Sequence, residues 1–132
     1  MLNFLNKKNF INGQWVSSDA EIAVDNPATG KIIAHAPDMT EAQLKEAVDV
    51  TVSGAEEWKN STIEQRYQVL RIWHELNQKH FKELAELITL EQGKVSSEAE
   101  GELVYGNAYI DWFACILRPH SNYSRAGSSI EH

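Results

Sequence analysis

The sequence predicts an α+β fold in which two N-terminal β-hairpins are followed by three to four α-helices. Three observations support this prediction. Asn12-Gly13 lies between two short apolar runs, and a second turn sequence occupies residues 26–30. From Thr40 onward, the spacing of apolar residues changes from about two to about 3.6, which is the period of a helix. The first third of the chain is therefore assigned to strands and the remainder to helices.

Each predicted hairpin has a turn of suitable chemistry. Both central residues of a type I′ turn need a positive φ, which Asn12 and Gly13 tolerate better than other residues. In the second hairpin, residues 22–25 and 31–36 form the strands. Pro27 fixes φ at the entry to the turn, and Gly30 permits its exit.

Capping patterns predict where the helices begin and end. A threonine or serine followed three residues later by a glutamine or glutamate is typical of a helix N-terminus. Gly93 suits the left-handed position that follows a helix. The capping pairs are Thr40 with Gln43, Thr62 with Gln65, and Ser97 with Glu100.

Apolar residues repeat at helical spacing after each capping pair. The second predicted helix includes Phe81 on its apolar face and continues in helical pattern to Gly93. The apolar faces of the three helices are, in order, Leu44, Ala47, Val48, Ala55 and Trp58; Leu70, Trp73, Leu76 and Phe81; and Tyr105, Tyr109, Trp112, Phe113 and Ile116.

A change of composition near the C-terminus predicts a boundary. The helical pattern lapses from Cys115, and Pro119 cannot continue a helix. Serines and Gly127 follow, and this composition is typical of a flexible tail. We therefore predict an ordered part over residues 1–114 and a tail over residues 115–132.

Composition excludes several classes of function. With 132 residues, the chain has enough material for one modest core. Its net charge of −7 disfavours nucleic acid and anionic membranes as partners. Its apolar runs are too short to span a bilayer, and no apolar run of a signal peptide follows Lys7 and Lys8. Its one cysteine cannot form an intramolecular disulfide, so we expect a cytoplasmic protein.

Cys115 and the histidines do not form a catalytic or metal-binding pattern. Cys115 lies near the end of a predicted helix, where the helix dipole opposes a thiolate, so a core or interface position is favoured. His74 and His80 are six residues apart, whereas helical metal ligands need a spacing of three or four. The other histidines are His35, His120 and His132. We predict no metal site.

The glycines and acidic residues also lack a functional pattern. Gly93-Lys94 lacks the preceding glycine and the following hydroxyl residue of a phosphate-binding loop, and Gly101 with Gly106 is not a dinucleotide fingerprint. The glutamates at positions 98, 100 and 102 suit the positive end of a helix. The aromatic stripe of the third helix is interpreted as core. The residues alone thus predict a soluble α+β segment without catalytic or cofactor-binding residues.

Five segments, in order, resemble the aldehyde dehydrogenase family. They are residues 9–16, residues 25–37, the group Trp58, Arg66 and Leu70, residues 87–94, and residues 102–114. Two segments are most similar in sequence to the succinate-semialdehyde dehydrogenase branch: Glu91-Gln92-Gly93-Lys94 and Ile110-Asp111-Trp112-Phe113-Ala114. The resemblance covers about residues 9–114.

The resemblance implies part of the coenzyme-binding domain of a larger α/β enzyme that oxidises a small aldehyde with NAD or NADP. The family's coenzyme motifs, nucleophilic cysteine and general-base glutamate come later in a longer chain, so no cofactor is expected to bind this segment. By its place in the third helix, Tyr105 resembles a residue near the mouth of the substrate tunnel; simple packing is the alternative.

The resemblance ends after Ala114, which suggests a truncated and inactive gene product. An interaction module that docks on an intact dehydrogenase and a pseudogene remnant are the alternatives. Because its helices lack the sheet that they cover in the family, we expect self-association through exposed apolar helix faces.

Overall fold

The computed structural model of the chain describes residues 8–118. The elements follow in the order β1 (Asn9–Ile11), β2 (Gln14–Val16), β3 (Ala20–Asn26), β4 (Lys31–Asp38), α1 (Glu41–Lys59), α2 (Ile63–Lys79), α3 (Phe81–Gln92) and α4 (Ser96–Leu117). The predicted α+β class, with two hairpins before the helices, is confirmed. Within this range, no helix combines the length and the apolarity needed to cross a membrane.

Both hairpins form where the turn residues predicted them. β1 and β2 pair antiparallel around Asn12 and Gly13, whose φ values of 49° and 73° are both positive. β3 and β4 pair antiparallel from Ala20 opposite Asp38 to Asn26 opposite Lys31, with an irregularity between Val24 and Asp25. Gly30 has a φ of 67° at the exit of the turn. Each hairpin is a separate two-stranded sheet.

Two of the three predicted capping boxes form. At Thr40, the threonine side chain accepts from the Gln43 amide at 3.3 Å, and the Gln43 side chain accepts from the Thr40 amide at 2.9 Å. Thr62 and Gln65 make the same reciprocal pair at 3.1 and 2.8 Å. Each box satisfies two amides that the helix cannot pair internally.

The third predicted capping box, between Ser97 and Glu100, is wrong. α4 begins at Ser96, and its N-cap is Val95, which has no side-chain cap. The Val95 carbonyl already accepts from the amides of Glu98 and Ala99. Ser97 therefore lies inside the first turn, where its hydroxyl cannot reach the orphan amides.

The extension of the second helix through Phe81 is also wrong, because α2 ends at Lys79. His80 has φ −105° and ψ 19°, and it caps the C-terminus of α2 and the N-terminus of α3. Phe81 thus begins α3 rather than lying on the apolar face of α2. No glycine or proline marks this break, so composition could not predict it. α3 ends, as predicted, at Gly93 in the left-handed conformation.

The core is built from small residues where α2 and α3 pack against α4. Its fully buried apolar residues among those described are Ala85, Ala99 and Ala114, and Asn107 is the buried polar residue. Small side chains let the helix backbones approach closely. Residues 115–117 extend α4, and residues 119–132 lie outside the described range. The prediction that the helical pattern lapses from Cys115 is therefore wrong, while the division into an ordered part and a tail remains a prediction.

Candidate functional site

The most prominent candidate surface is one side of α4, which we call the aromatic face. Its side chains recur at spacings of three and four residues and so project from one side of the helix. Tyr105 and Trp112 are 67% and 64% exposed. With Ala108 and Tyr109, they line a shallow apolar depression of about 320 Å³. The aromatic face comprises Tyr105, Tyr109, Trp112, Phe113 and Ile116.

The aromatic face is not core, which corrects the interpretation made from the sequence. α4 has two apolar sides, and its inner side carries the small residues that pack on α2 and α3. The large side chains lie on the opposite side, where α2 and α3 do not cover them. A periodic pattern could not distinguish the two sides, since both are apolar.

Tyr105 and Tyr109 form a defined pair on this face. Their hydroxyl oxygens are 2.7 Å apart, and their rings meet edge to face with centroids 5.0 Å apart. The hydrogen bond to Tyr105, followed by desolvation, raises the pKa of Tyr109. The arrangement holds the Tyr109 proton rather than activating it as a base. The assignment of Tyr105 to a substrate-tunnel mouth remains a prediction.

The inner side of α4 carries a polar seam with α2. The Asn77 side chain donates to Asn107 Oδ1 at 3.3 Å, and His74 Nδ1 lies 3.4 Å from the Asn107 carbonyl oxygen. Arg71 donates to Asp111 at 2.7 Å. Because Asn107 is only 6% exposed, its partners offset the cost of burying an amide. The seam fixes how α4 sits on α2.

Arg66 organises the connection between α1 and α2. Its guanidinium donates to the side-chain oxygen of Ser61 at 3.0 Å and to the Lys59 carbonyl at 2.8 Å, and it lies 5.8 Å from the centre of the Trp58 ring. The planar guanidinium of arginine has several N–H donors and can bond these partners at the same time, which suits the site better than the ammonium group of a lysine would. Trp58 and Arg66, two of the resemblance residues, therefore meet through a structural contact.

The other predicted candidates do not assemble into a site. Cys115 is exposed, so a core position is wrong; an interface position remains a prediction. Lys94 pairs with Glu102, which joins the start of α4 to the loop before it. His80 lies 2.9 Å from Glu83, far along α2 from His74. Among residues 8–118, no group of three histidine, cysteine or acidic side chains could hold a metal.

The junction between β4 and α1 does not fit a nicotinamide dinucleotide. A dinucleotide pyrophosphate binds at a helix N-terminus that follows a parallel strand through a glycine-rich turn. The described sheets are antiparallel hairpins, and α1 follows β4 directly. At its N-terminus, the Thr40–Gln43 box already pairs the amides of Thr40 and Gln43, and Glu41 adds negative charge. An anionic ligand is therefore disfavoured at this junction.

Sequence reasoning missed the polar seam and the role of Arg66. A signal was present, because Asp111 is the one acidic residue among the otherwise apolar or uncharged residues 103–117. A lone charge in such a run is a candidate for pairing with an opposite charge. The sequence did not indicate that the partner would be Arg71, which is 40 residues away.

Comparison with known proteins gives consistent matches. Residues 15–129 match the model of the aldehyde dehydrogenase family, so the prediction that the resemblance ends after Ala114 is wrong. Glutarate-semialdehyde dehydrogenase of Pseudomonas putida is 39% identical over 107 residues, covering 80% of this chain and 22% of that protein. The NADP(+) succinate-semialdehyde dehydrogenase of Escherichia coli K12 is 36% identical over 114 residues, which cover 85% of this chain and 24% of that protein.

A solved structure agrees with these matches. The crystal structure of succinate-semialdehyde dehydrogenase from Burkholderia pseudomallei superposes with a TM-score of 0.78 at 34% identity, covering 83% of this chain and 23% of that one. The chain thus spans about a quarter of the length of its relatives. The family model covers most of the chain, and the architecture agrees. The chain belongs to the aldehyde dehydrogenase family.

Proposed function

We propose that this chain is the N-terminal quarter of a semialdehyde dehydrogenase and is inactive by itself. The observation that carries the proposal is the match of the chain to a quarter of two enzymes named for semialdehydes that bear a carboxylate. The complete enzyme would oxidise such an aldehyde, with succinate semialdehyde favoured, to its acid. NAD⁺ or NADP⁺ would accept the hydride, and water would supply the second carboxylate oxygen.

Three features support inactivity of the segment. The exposed Cys115 lies at the C-terminal end of α4 rather than at a helix N-terminus, which is a typical place for a catalytic cysteine. The N-terminus of α1 is already capped, which disfavours a dinucleotide there. The hydrogen bond to Tyr105 raises the pKa of Tyr109, which disfavours the Tyr109 phenol as a general base. With a single cysteine in the sequence, we also propose a cytoplasmic location.

The activity test uses the purified 132-residue chain with succinate or glutarate semialdehyde and each nicotinamide cofactor. We expect no more reduced cofactor than a boiled sample forms, while the full-length E. coli relative at equal concentration is active. Formation of reduced cofactor that is abolished by Cys115→Ser would contradict the proposal.

The DNA sequence of the gene tests whether a longer parent enzyme is encoded. The sequence that follows the codon of His132 is read in all three frames. Dehydrogenase sequence there would support the proposed parent, and an unrelated sequence would oppose it.

A second candidate function, a module that docks on an intact dehydrogenase, is favoured by the exposed aromatic face. Its test mixes the chain with the full-length E. coli relative and measures their sedimentation. A joint boundary would support docking, and independent sedimentation would contradict it.

A further inference from the structure

We propose that Asn12 is a modification site of this chain, where the side-chain amide is lost as ammonia and aspartate or isoaspartate forms, at a rate set by opening of the β1–β2 hairpin. An asparagine followed by glycine is the pair most prone to this reaction, and Asn12-Gly13 is the one such pair in the sequence. Both reacting groups belong to neighbouring residues, so the reaction needs no partner molecule. The proposal is independent of the proposed aldehyde oxidation.

The reaction consumes water and needs no other reactant. The deprotonated Gly13 amide nitrogen attacks Asn12 Cγ, the new carbon–nitrogen bond closes a succinimide ring, and the side-chain nitrogen leaves as ammonia. Water then adds to one of the ring carbonyls and breaks the bond from that carbon to the ring nitrogen. Opening at the former side-chain carbonyl gives aspartate. Opening at the main-chain carbonyl gives isoaspartate, in which the main chain runs through the former side chain.

The surroundings of Asn12 leave both reacting groups accessible. Asn12 and Gly13 are exposed, and an added Cβ at Gly13 would have nothing within 4 Å. No side chain on Gly13 therefore hinders the attack of its nitrogen. In the described part of the chain, the Gly13 amide donates a hydrogen bond to no other residue. Base can thus reach the amide proton, and water can reach the ring.

The Asn60–Ser61 pair shows the opposite arrangement and serves as an internal control. Asn60 is exposed like Asn12, but its Nδ2 donates to the Glu56 carbonyl at 2.9 Å. The amide of Ser61, which would be the attacking group, donates to the Trp58 carbonyl at 3.1 Å. Both reacting groups are therefore held apart from each other, and the serine side chain adds hindrance.

The closed β1–β2 turn slows the reaction at Asn12. Asn12 has a φ of 49° in the left-handed conformation of the turn, and its backbone must rotate out of that conformation before the Gly13 nitrogen can reach Cγ. The strands that hold the turn closed are only three residues long, and Phe10 pairs with Trp15 across them at a ring distance of 5.0 Å. A two-stranded hairpin of this kind opens readily, and the open fraction sets the rate.

The isoaspartate product would disfavour closure of the hairpin. Its main chain is longer by a methylene group, whereas a two-residue turn fixes the register of Ile11 opposite Gln14. Asn12 also lines, together with Glu46 of α1, a cavity of about 230 Å³ between the hairpin and α1. Either product places a carboxylate in the same cavity as the Glu46 carboxylate. The modification therefore weakens both the turn and its seat on α1.

The first experiment follows the full chain in mildly alkaline buffer by peptide mass spectrometry over time. We expect Asn12 to convert at least roughly tenfold faster than Asn60, with aspartate and isoaspartate peptides separated by chromatography. The variant Asn12→Asp marks where the aspartate peptide elutes. Equal rates at Asn12 and Asn60, or an unmodified Asn12, would overturn the proposed site.

The second experiment tests whether hairpin opening sets the rate. Trp15→Ala removes the contact with Phe10, and Trp73→Ala on α2 is the matched control, since both tryptophans are 53% exposed. We expect Trp15→Ala to speed conversion of Asn12 roughly twofold to fivefold and Trp73→Ala to leave it nearly unchanged. The wild-type chain in guanidinium chloride, which needs no substitution, should react faster than in buffer. Equal rates in buffer and denaturant, or no difference between the two variants, would show that the hairpin does not control the reaction.

Discussion

At the scale of single residues, the Tyr105–Tyr109 pair is exposed, and yet the pKa of Tyr109 is raised. The hydrogen bond to Tyr105, and then desolvation, raise the pKa of Tyr109 from its ordinary value of 10.0. A raised pKa means that the folded state holds the phenol proton more tightly than the unfolded chain does. The pair's contribution to stability is therefore present below that ordinary value and is lost as pH rises through the folded-state pKa.

The first prediction concerns Tyr105→Phe. Without the partner hydroxyl, the pKa of Tyr109 should fall toward its ordinary value. The measurement is the pH titration of phenolate absorbance, in which the highest tyrosine step should move to lower pH. Tyr67→Phe is the control, since Tyr67 lies on α2 and should leave that step in place. If the highest tyrosine step stays at the same pH in Tyr105→Phe, the hydrogen bond to Tyr105 is not the cause of the raised Tyr109 pKa.

Gly93 shows how one residue can meet two requirements. Its φ of 69° ends α3 in a conformation that glycine adopts without steric cost. A Cβ at this position would lie 2.8 Å from Pro27 Cγ, so glycine also allows the turn of the second hairpin to approach the end of α3. Gly30 has a similar φ but nothing within 4 Å of an added Cβ. Of these two glycines, only Gly93 combines backbone and packing requirements.

At the scale of elements, the helices differ in how their N-termini are secured. Thr40 and Thr62 cap α1 and α2 with reciprocal hydrogen bonds. α4 begins without a side-chain cap, although Lys94 and Glu102 pair across its start. The stability of α4 must therefore come mainly from its packing and from the polar seam with α2.

The second prediction compares Thr62→Ala with Ser97→Ala. Removing the Thr62 cap should destabilise α2 by about 1 kcal/mol, because the Gln65 amide loses its acceptor. Ser97 caps nothing, so its replacement should change helicity little. Far-UV circular dichroism in increasing urea measures both variants against the wild type. Equal loss of helicity in the two variants would show that Ser97 does cap α4.

At the scale of the whole molecule, large apolar side chains remain exposed while small ones form the core. Helix α1 illustrates this: Leu44 and Val48 are 53% and 63% exposed, and α1 has no buried residue. Full burial of a large apolar side chain contributes about 1.5–3 kcal/mol, and a domain nets only about 5–15 kcal/mol. Leaving several uncovered thus removes most of the expected stability margin. An isolated two-stranded hairpin is also only marginally stable in water.

The third prediction is weak cooperativity of the isolated chain. Differential scanning calorimetry of a dilute, monomeric sample should show a broad transition whose calorimetric and van't Hoff enthalpies differ. Helicity should persist without fixed tertiary packing. A sharp transition with equal enthalpies would show instead that the 132-residue chain is a cooperative domain.

Local signals in the sequence determined both hairpin turns, two capping boxes and the end of α3. Each depends on a few neighbouring residues, such as Asn12 with Gly13 or Thr62 with Gln65. The motifs also determined the family. Where local signals were absent or misleading, prediction failed: His80 divides two helices without glycine or proline, and the carbonyl of Val95 starts α4 ahead of Ser97.

Only the tertiary structure decided which side of α4 is inside. Both sides carry apolar residues at helical spacing, so periodicity alone could not choose between Ala114 and Trp112. The choice follows from the close approach of α2 and α3, which small side chains permit, and from the Arg71–Asp111 and Asn77–Asn107 contacts. These partners lie 40 and 30 residues apart. Their meeting depends on the path of the whole chain, because no local pattern encodes it.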